Sequence, residues 1–190
     1  MQTNLLWTGR EYYSLENCLV ERNDKGINVN SVIVGSYEKI IYRVDYNLKT
    51  NQSWATLFLE IFAQHNSLRQ HFKFEGDGKG NWIVNGKRQE QFAHCIDVDI
   101  PLTPFTNTLP INRLNLADGQ QRQISVIYFD LLKNQIIPVN QEYLRLTDKT
   151  YHYQNVPNDF EAEIEVDKDG FVVDYPELFV RTSALHTNYE

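Results

Sequence analysis

The stretch Cys95-Ile96-Asp97-Val98-Asp99-Ile100, followed by Pro101-Leu102-Thr103-Pro104-Phe105-Thr106-Asn107-Thr108-Leu109-Pro110, is the one part of the chain that simple alternation does not explain. Its first six residues alternate as a strand does, with Ile96, Val98 and Ile100 on one face and Cys95, Asp97 and Asp99 on the other. Residues two apart on a strand share a face with Cα atoms roughly 6.5–7 Å apart, so Asp97 and Asp99 form a carboxylate pair. Pro101, Pro104 and Pro110 then break any ladder, because proline lacks an N–H and fixes φ. Thr103 suits an N-cap and Pro104 a first helical position. With Pro110 limiting the first half, the pattern predicts a short, kinked or two-part helix through Leu116. Thr103, Thr106 and Asn107 can satisfy local backbone groups, while Phe105 and Leu109 anchor the segment in the core. No other segment has the period and both caps of a long amphipathic helix.

Elsewhere the chain reads as strands between turns. Residues 13–21 and 27–37 flank the turn Asn23-Asp24-Lys25-Gly26. Residues 39–48 set Tyr42, Val44 and Tyr46 against Ile41, Arg43 and Asp45. Residues 54–63 set Leu57, Leu59 and Ile61 against Phe58, Glu60 and Phe62, and residues 68–75 follow. Gly76-Asp77-Gly78-Lys79-Gly80-Asn81 is a hairpin tip, since it lacks the spacing and following helix of a phosphate loop. Later strands are expected over 123–132, 136–146, 150–153 and 160–166. In the last of these Glu161, Glu163 and Glu165 form a solvated face opposite Phe160 and Ile164. Asp167-Lys168-Asp169-Gly170 is a turn, without the third ligand and terminal glutamate of a calcium loop. Many turn-bounded strands without βαβ alternation predict a mainly β, α+β fold: an antiparallel roll or half-barrel with one short helix.

At 190 residues the chain is read as one domain, with a globular part over about 5–181 and a loose tail over 182–190. A net charge of −7 argues against a general nucleic-acid partner and against an anionic membrane surface. The N-terminal stretch lacks a basic region and an apolar run, and no segment approaches the ~20 apolar residues of a span. A cytoplasmic protein without integral membrane association is expected. Cys18 and Cys95 then read as reduced, buried small hydrophobes. Neither they nor His65, His71 and His94 make a metal constellation, and no nucleophile motif stands out. No cofactor, metal or catalytic residue is assigned.

The candidate binding residues follow from chemistry. Asp97 and Asp99 could bind sugar hydroxyls, hold a cation, act as acid and base, cap the adjoining backbone or face water. Arg113 could pair with either carboxylate or hold an anion in its planar fork. Asn107 fixes the loop or touches a ligand. Glu60, between Phe58 and Phe62, is a buried acid with a raised pKa or a residue at an exposed strand edge. Gln141, Glu142 and Tyr143 line a polar pocket mouth or serve as ordinary strand residues.

Cys95-Ile96-Asp97-Val98-Asp99, Thr103-Pro104-Phe105-Thr106-Asn107-Thr108-Leu109-Pro110 and Arg113-Leu114 together resemble the signature of the putative glycolipid-binding family, formerly a bacterial domain of unknown function. The resemblance extends from Trp7-Thr8-Gly9 to Tyr175-Pro176-Glu177-Leu178-Phe179. His94 stands where the pattern leads one to expect glycine, and Asn112 where a second basic residue would precede Arg113. The resemblance implies a long antiparallel sheet curled around a single helix, distantly similar to bacterial lipoprotein carriers. It also implies an acidic pocket and a homodimer, and it adds Glu11 to the candidates. The first reading is a glycolipid-binding protein involved in glycolipid metabolism, taking a glycolipid or other amphipathic small molecule. Its apolar interior would hold the ligand's apolar body, and the Asp97–Arg113 region would meet the head. The rivals are an enzyme using carboxylate acid/base chemistry on a sugar-containing substrate, and a structural dimer without a ligand.

Overall fold

The computed structural model of the chain describes residues 1–187. Its first arm is β1 (Gln2–Gly9), β2 (Ser14–Asn23), β3 (Gly26–Tyr37), β4 (Ile40–Thr50), β5 (Thr56–His65), β6 (Leu68–Gly76), β7 (Trp82–Val84) and β8 (Lys87–Arg88). A 3-10 turn, Glu90–Phe92, leads to β9 (Asp97–Asp99) and α1 (Phe105–Leu114), the one α-helix among the described residues. The second arm continues with β10 (Gln121–Asp130), β11 (Gln135–Arg145), β12 (Thr150–Val156), β13 (Glu161–Val166), β14 (Val172–Tyr175) and β15 (Phe179–Thr187). All fifteen strands form one sheet in the order β8 down to β1, then β15 down to β9. Each arm is therefore a meander of neighbours, and the arms join where β1 pairs with β15. Every ladder is antiparallel except the three-residue parallel pairing of β9 with β10. The expected long antiparallel sheet curled around one helix is what the chain forms.

Period-two patterning supplies the curl's inner surface. Tyr42, Val44, Tyr46 and Leu48 of β4 are buried, while Ile41 and Arg43 are exposed. The far strands fold toward each other over this surface. Phe74 of β6 meets Phe129 of β10 edge-on at 5.0 Å, and Gln70 donates to Asn134 Oδ1 at 3.0 Å. The sheet stays open, with β8 and β9 as its edges. Trp82 Nε1 donates to the Cys95 carbonyl at 2.6 Å, which ties the chain entering β9 to the first arm.

Helix α1 lies inside the curl, with Phe105 to Ile111 all buried. Pro110 sits within it and removes one backbone donor. That costs about 3 kcal/mol. Burial of Phe105, Leu109 and Ile111, each worth about 1.5–3 kcal/mol, offsets it. The helix is continuous and ends at Leu114 rather than Leu116, because Asn115 adopts a left-handed cap at φ 44° and donates to the Ile111 carbonyl. Pro104, not Thr103, holds the N-cap position. Thr103 still does capping work from one residue earlier, where its Oγ1 accepts the Phe105 N–H at 3.0 Å.

Two further expectations are corrected. The sheet begins at Gln2, with Leu5 and Trp7 of β1 on the buried face. Residues 182–187 are not a loose tail: they continue β15 along β1, from Ser183 opposite Leu6 to Thr187 opposite Gln2. Those six residues are exposed, so no alternation marks them; backbone pairing holds them, helped by hydrogen bonds from Thr182 Oγ1 to the Leu6 carbonyl and between Thr3 and His186. Positions 188–190 of the expected tail lie outside the described residues.

Candidate functional site

The direction of α1 decides what each carboxylate of the pair meets. The helix runs back along β9, so Thr106 in its first turn reaches Asp99 and Arg113 in its last turn reaches Asp97. Arg113 Nε donates to both Asp97 oxygens at 3.0 and 3.1 Å, and Nη2 adds a third bond. Asp97 is fully buried. Burial pushes its carboxyl up against the opposing pull of Arg113. Among the described residues no cation pairs with Asp99. Thr106 Oγ1 donates to its Oδ1 at 3.0 Å and Gln141 Nε2 to its Oδ2 at 2.7 Å, while burial raises its pKa.

Asp99 keeps part of its surface open to a pocket of about 260 Å³. Thr103 and Asn107, at the start of the helix, supply part of the floor. Tyr128 of β10, Tyr153 and Asn155 of β12, and Tyr175 of β14 supply much of the wall. Tyr12 and Glu11, from the turn between β1 and β2, and Leu178 and Phe179, where β14 turns into β15, complete the rim with Phe160. Asn107 is fixed from behind, since buried Tyr143 donates its phenol to Asn107 Oδ1 at 2.9 Å. Tyr153 in turn donates to Asn155 Oδ1 at 2.7 Å. The pocket thus offers two carboxylates and two amides among aromatic rings.

The structure brings Asp99, Asn107 and Glu11 together as lining residues. Gln141 and Tyr143 stand directly behind them as supports. Asp97 and Arg113 form a separate ion pair and do not line the pocket. Of the two carboxylates that Arg113 could pair with, it takes Asp97 and makes no bond to Asp99. Glu60 is not a buried acid: it lies on the sheet's outer face, hydrogen bonded to His71 Nε2 at 2.9 Å. Glu142 alternates outward from Gln141 and Tyr143 and accepts from Gln154 at 2.9 Å.

Sequence reasoning missed most of the pocket's aromatic wall. Tyr153 and Asn155, two apart on β12, carry the period of a buried strand face, but alternation does not distinguish a ring that fills a core from one that lines a cavity. Glu16 of β2 was also not singled out. It is buried, with Ser31 Oγ donating to its Oε1 at 2.6 Å and Tyr46 Oη at 2.9 Å. Its Oε2 has no partner, and burial pushes the carboxyl up to about 7.

Fold and pocket together define a curled-sheet β protein with a small aromatic, carboxylate-bearing cavity beside its internal helix. The chain belongs to the family described as "Putative glycolipid-binding", whose model matches residues 4–181. A crystal structure of a DUF1089 family protein from Pseudomonas aeruginosa, at 1.80 Å resolution, is similar to it with a TM-score of 0.80 and 31% sequence identity. The match covers 87% of this chain and 91% of that one. Among curated proteins no sequence match is found.

Proposed function

We propose that this protein binds the polar head of a glycolipid, or of another amphipathic small molecule, in the pocket between Asp99, Asn107 and Tyr128. The observation that carries the reading is the pairing of partly buried hydrogen-bonding groups with aromatic side chains in one cavity. Asp99 retains acceptor capacity beyond its two bonds, and sugar hydroxyls are donors that suit it. Membership of a family described as glycolipid-binding supports the ligand class.

The apolar body of the ligand has a different place from the one expected. The interior of the curl is filled by the chain's own side chains, Trp7, Phe105, Phe129 and Phe171 among them, all fully buried. Such an interior is close-packed rather than receptive. The pocket is also smaller than the roughly 300–1,000 Å³ of sites that engulf drug-sized ligands. The head therefore enters and the lipid chain stays outside, which suits a role in glycolipid metabolism where a head must be held and released. A homodimer and a cytoplasmic location belong to the same reading, and light scattering tests the first. For the binding itself, saturation-transfer NMR with short-chain alkyl glycosides is the test: transfer concentrated on the sugar protons is expected. Transfer only to alkyl protons, or none, would overturn the reading.

A further inference from the structure

We infer that the pocket selects a head group bearing a positively charged nitrogen, either a quaternary ammonium or the protonated amine of an amino sugar. The inference deepens the binding reading above and rests on it for the location of the site. Four tyrosines and two phenylalanines line the cavity, and Asp99 and Glu11 are its charged residues. Among the described residues no lysine, arginine or histidine lines it. The nearest cation downstream of the acidic pair, Arg113, is already committed to Asp97 at the other end of the helix.

The electrostatics of the ring hydroxyls point the same way. Burial, then Asp99, Asp130 and Asp159 raise the Tyr128 phenol; burial, then chiefly Asp99 raises Tyr153 and Tyr175. Tyr12 is raised by burial, then by Glu11, with Asp130 adding to it. Burial opposes a charge of either sign, but the share of each shift that comes from the carboxylates favours a positive charge in the pocket. Ring faces attract a cation through their quadrupole, most strongly where water is excluded. A carboxylate held by Thr106 and Gln141, and not by a protein cation, supplies the counter-charge without reorganisation. A neutral sugar would use the hydrogen bonds but leave this negative potential unanswered.

The experiment is titration calorimetry at neutral pH on the full chain with matched probes. Choline is compared with neutral 3,3-dimethylbutan-1-ol, and octyl glucosaminide with octyl glucoside. Each ammonium probe, or one of the two, is expected to bind at least tenfold more tightly than its neutral partner, and the better one identifies the source of the charge. Asp99→Asn should remove most of that ratio, and Glu11→Gln at the exposed rim should reduce it even if Asp99→Asn folds poorly. Equal affinity within both pairs overturns the inference while glycoside binding leaves the broader reading standing. Ammonium binding without any glycoside binding does the reverse, and no binding by any probe removes both.

Discussion

Arg113 holds Asp97 from the far end of α1, so a fully buried carboxylate in β9 and the last turn of the helix are fixed to one another. The carboxylate two residues on, Asp99, is held from the helix's first turn. The helix is pinned to the strand at both ends, and only the Asp99 end opens to the pocket.

Removing Arg113 leaves the Asp97 charge buried without a partner. Arg113→Ala is expected to destabilise the fold by about 3–5 kcal/mol. Arg113→Leu combined with Asp97→Asn should recover a good part of that loss, because neither buried charge remains. Urea denaturation of the two variants checks the order.

Glu16 sets a pH dependence. Its folded value of about 7 lies above the ordinary 4.5. The folded protein thus holds a proton that the unfolded chain releases between those values. This group's contribution to stability falls as pH rises from 4.5 to about 7 and is constant above. The size is roughly 3 kcal/mol at 1.36 kcal/mol per unit. Glu16→Gln keeps an oxygen for Ser31 and Tyr46 and should flatten the stability profile over that window, measured against wild type by denaturation at several pH values.

The pocket's boundaries predict which acidic residues matter. Asn107→Ala and Asp99→Asn should weaken alkyl glycoside or ammonium binding at least tenfold. Glu60→Gln and Glu142→Gln, on the outer face, should leave affinity within twofold of wild type. Calorimetry on the four variants is the measurement, and a large loss in Glu60→Gln would move the site to the outer face.

Two glycines share nearly the same φ and should not respond alike. A Cβ on Gly170, at φ 76°, would overlap the Asn112 side-chain amide, whereas one on Gly86, at φ 74°, meets nothing within 4 Å. Gly86→Ala should cost about 1–2 kcal/mol for the left-handed backbone alone. Gly170→Ala should cost measurably more, because Asn112 must also release its bond to the Asp169 carbonyl. Thermal melts separate the two.

His94 has φ 73° and is exposed. The glycine expected there from the family pattern would relieve the backbone, although glycine loses more entropy on folding. The balance favours His94→Gly by about 0.5 kcal/mol, a gain that denaturant midpoints can resolve.

Strand alternation made β4, β5 and β13 legible, since each buries one face and exposes the other. The segment around Asp97 and Asp99 was legible for a different reason: proline, threonine and asparagine are consistent only with a capped, packed turn of chain. What the sequence did not reveal was the partner of each acid. Asp97 and Asp99 share a face, but one meets Arg113 and the other Gln141, through the direction of the helix and the register of β10 against β11. Those are tertiary facts with no local pattern. β15 was hidden because its exposed end carries no period, and Glu16 because a buried acid looks like any other acid in a strand.

The meeting of β1 with β15 has a consequence for assembly. Each arm is a run of neighbouring hairpins that can zip locally as it leaves the ribosome, yet β1 presents an unsatisfied edge until β15 is made. Gln2 must wait for Thr187, so closing this seam is the long-range, slow event, and the nascent chain carries an open strand until β15 has been made.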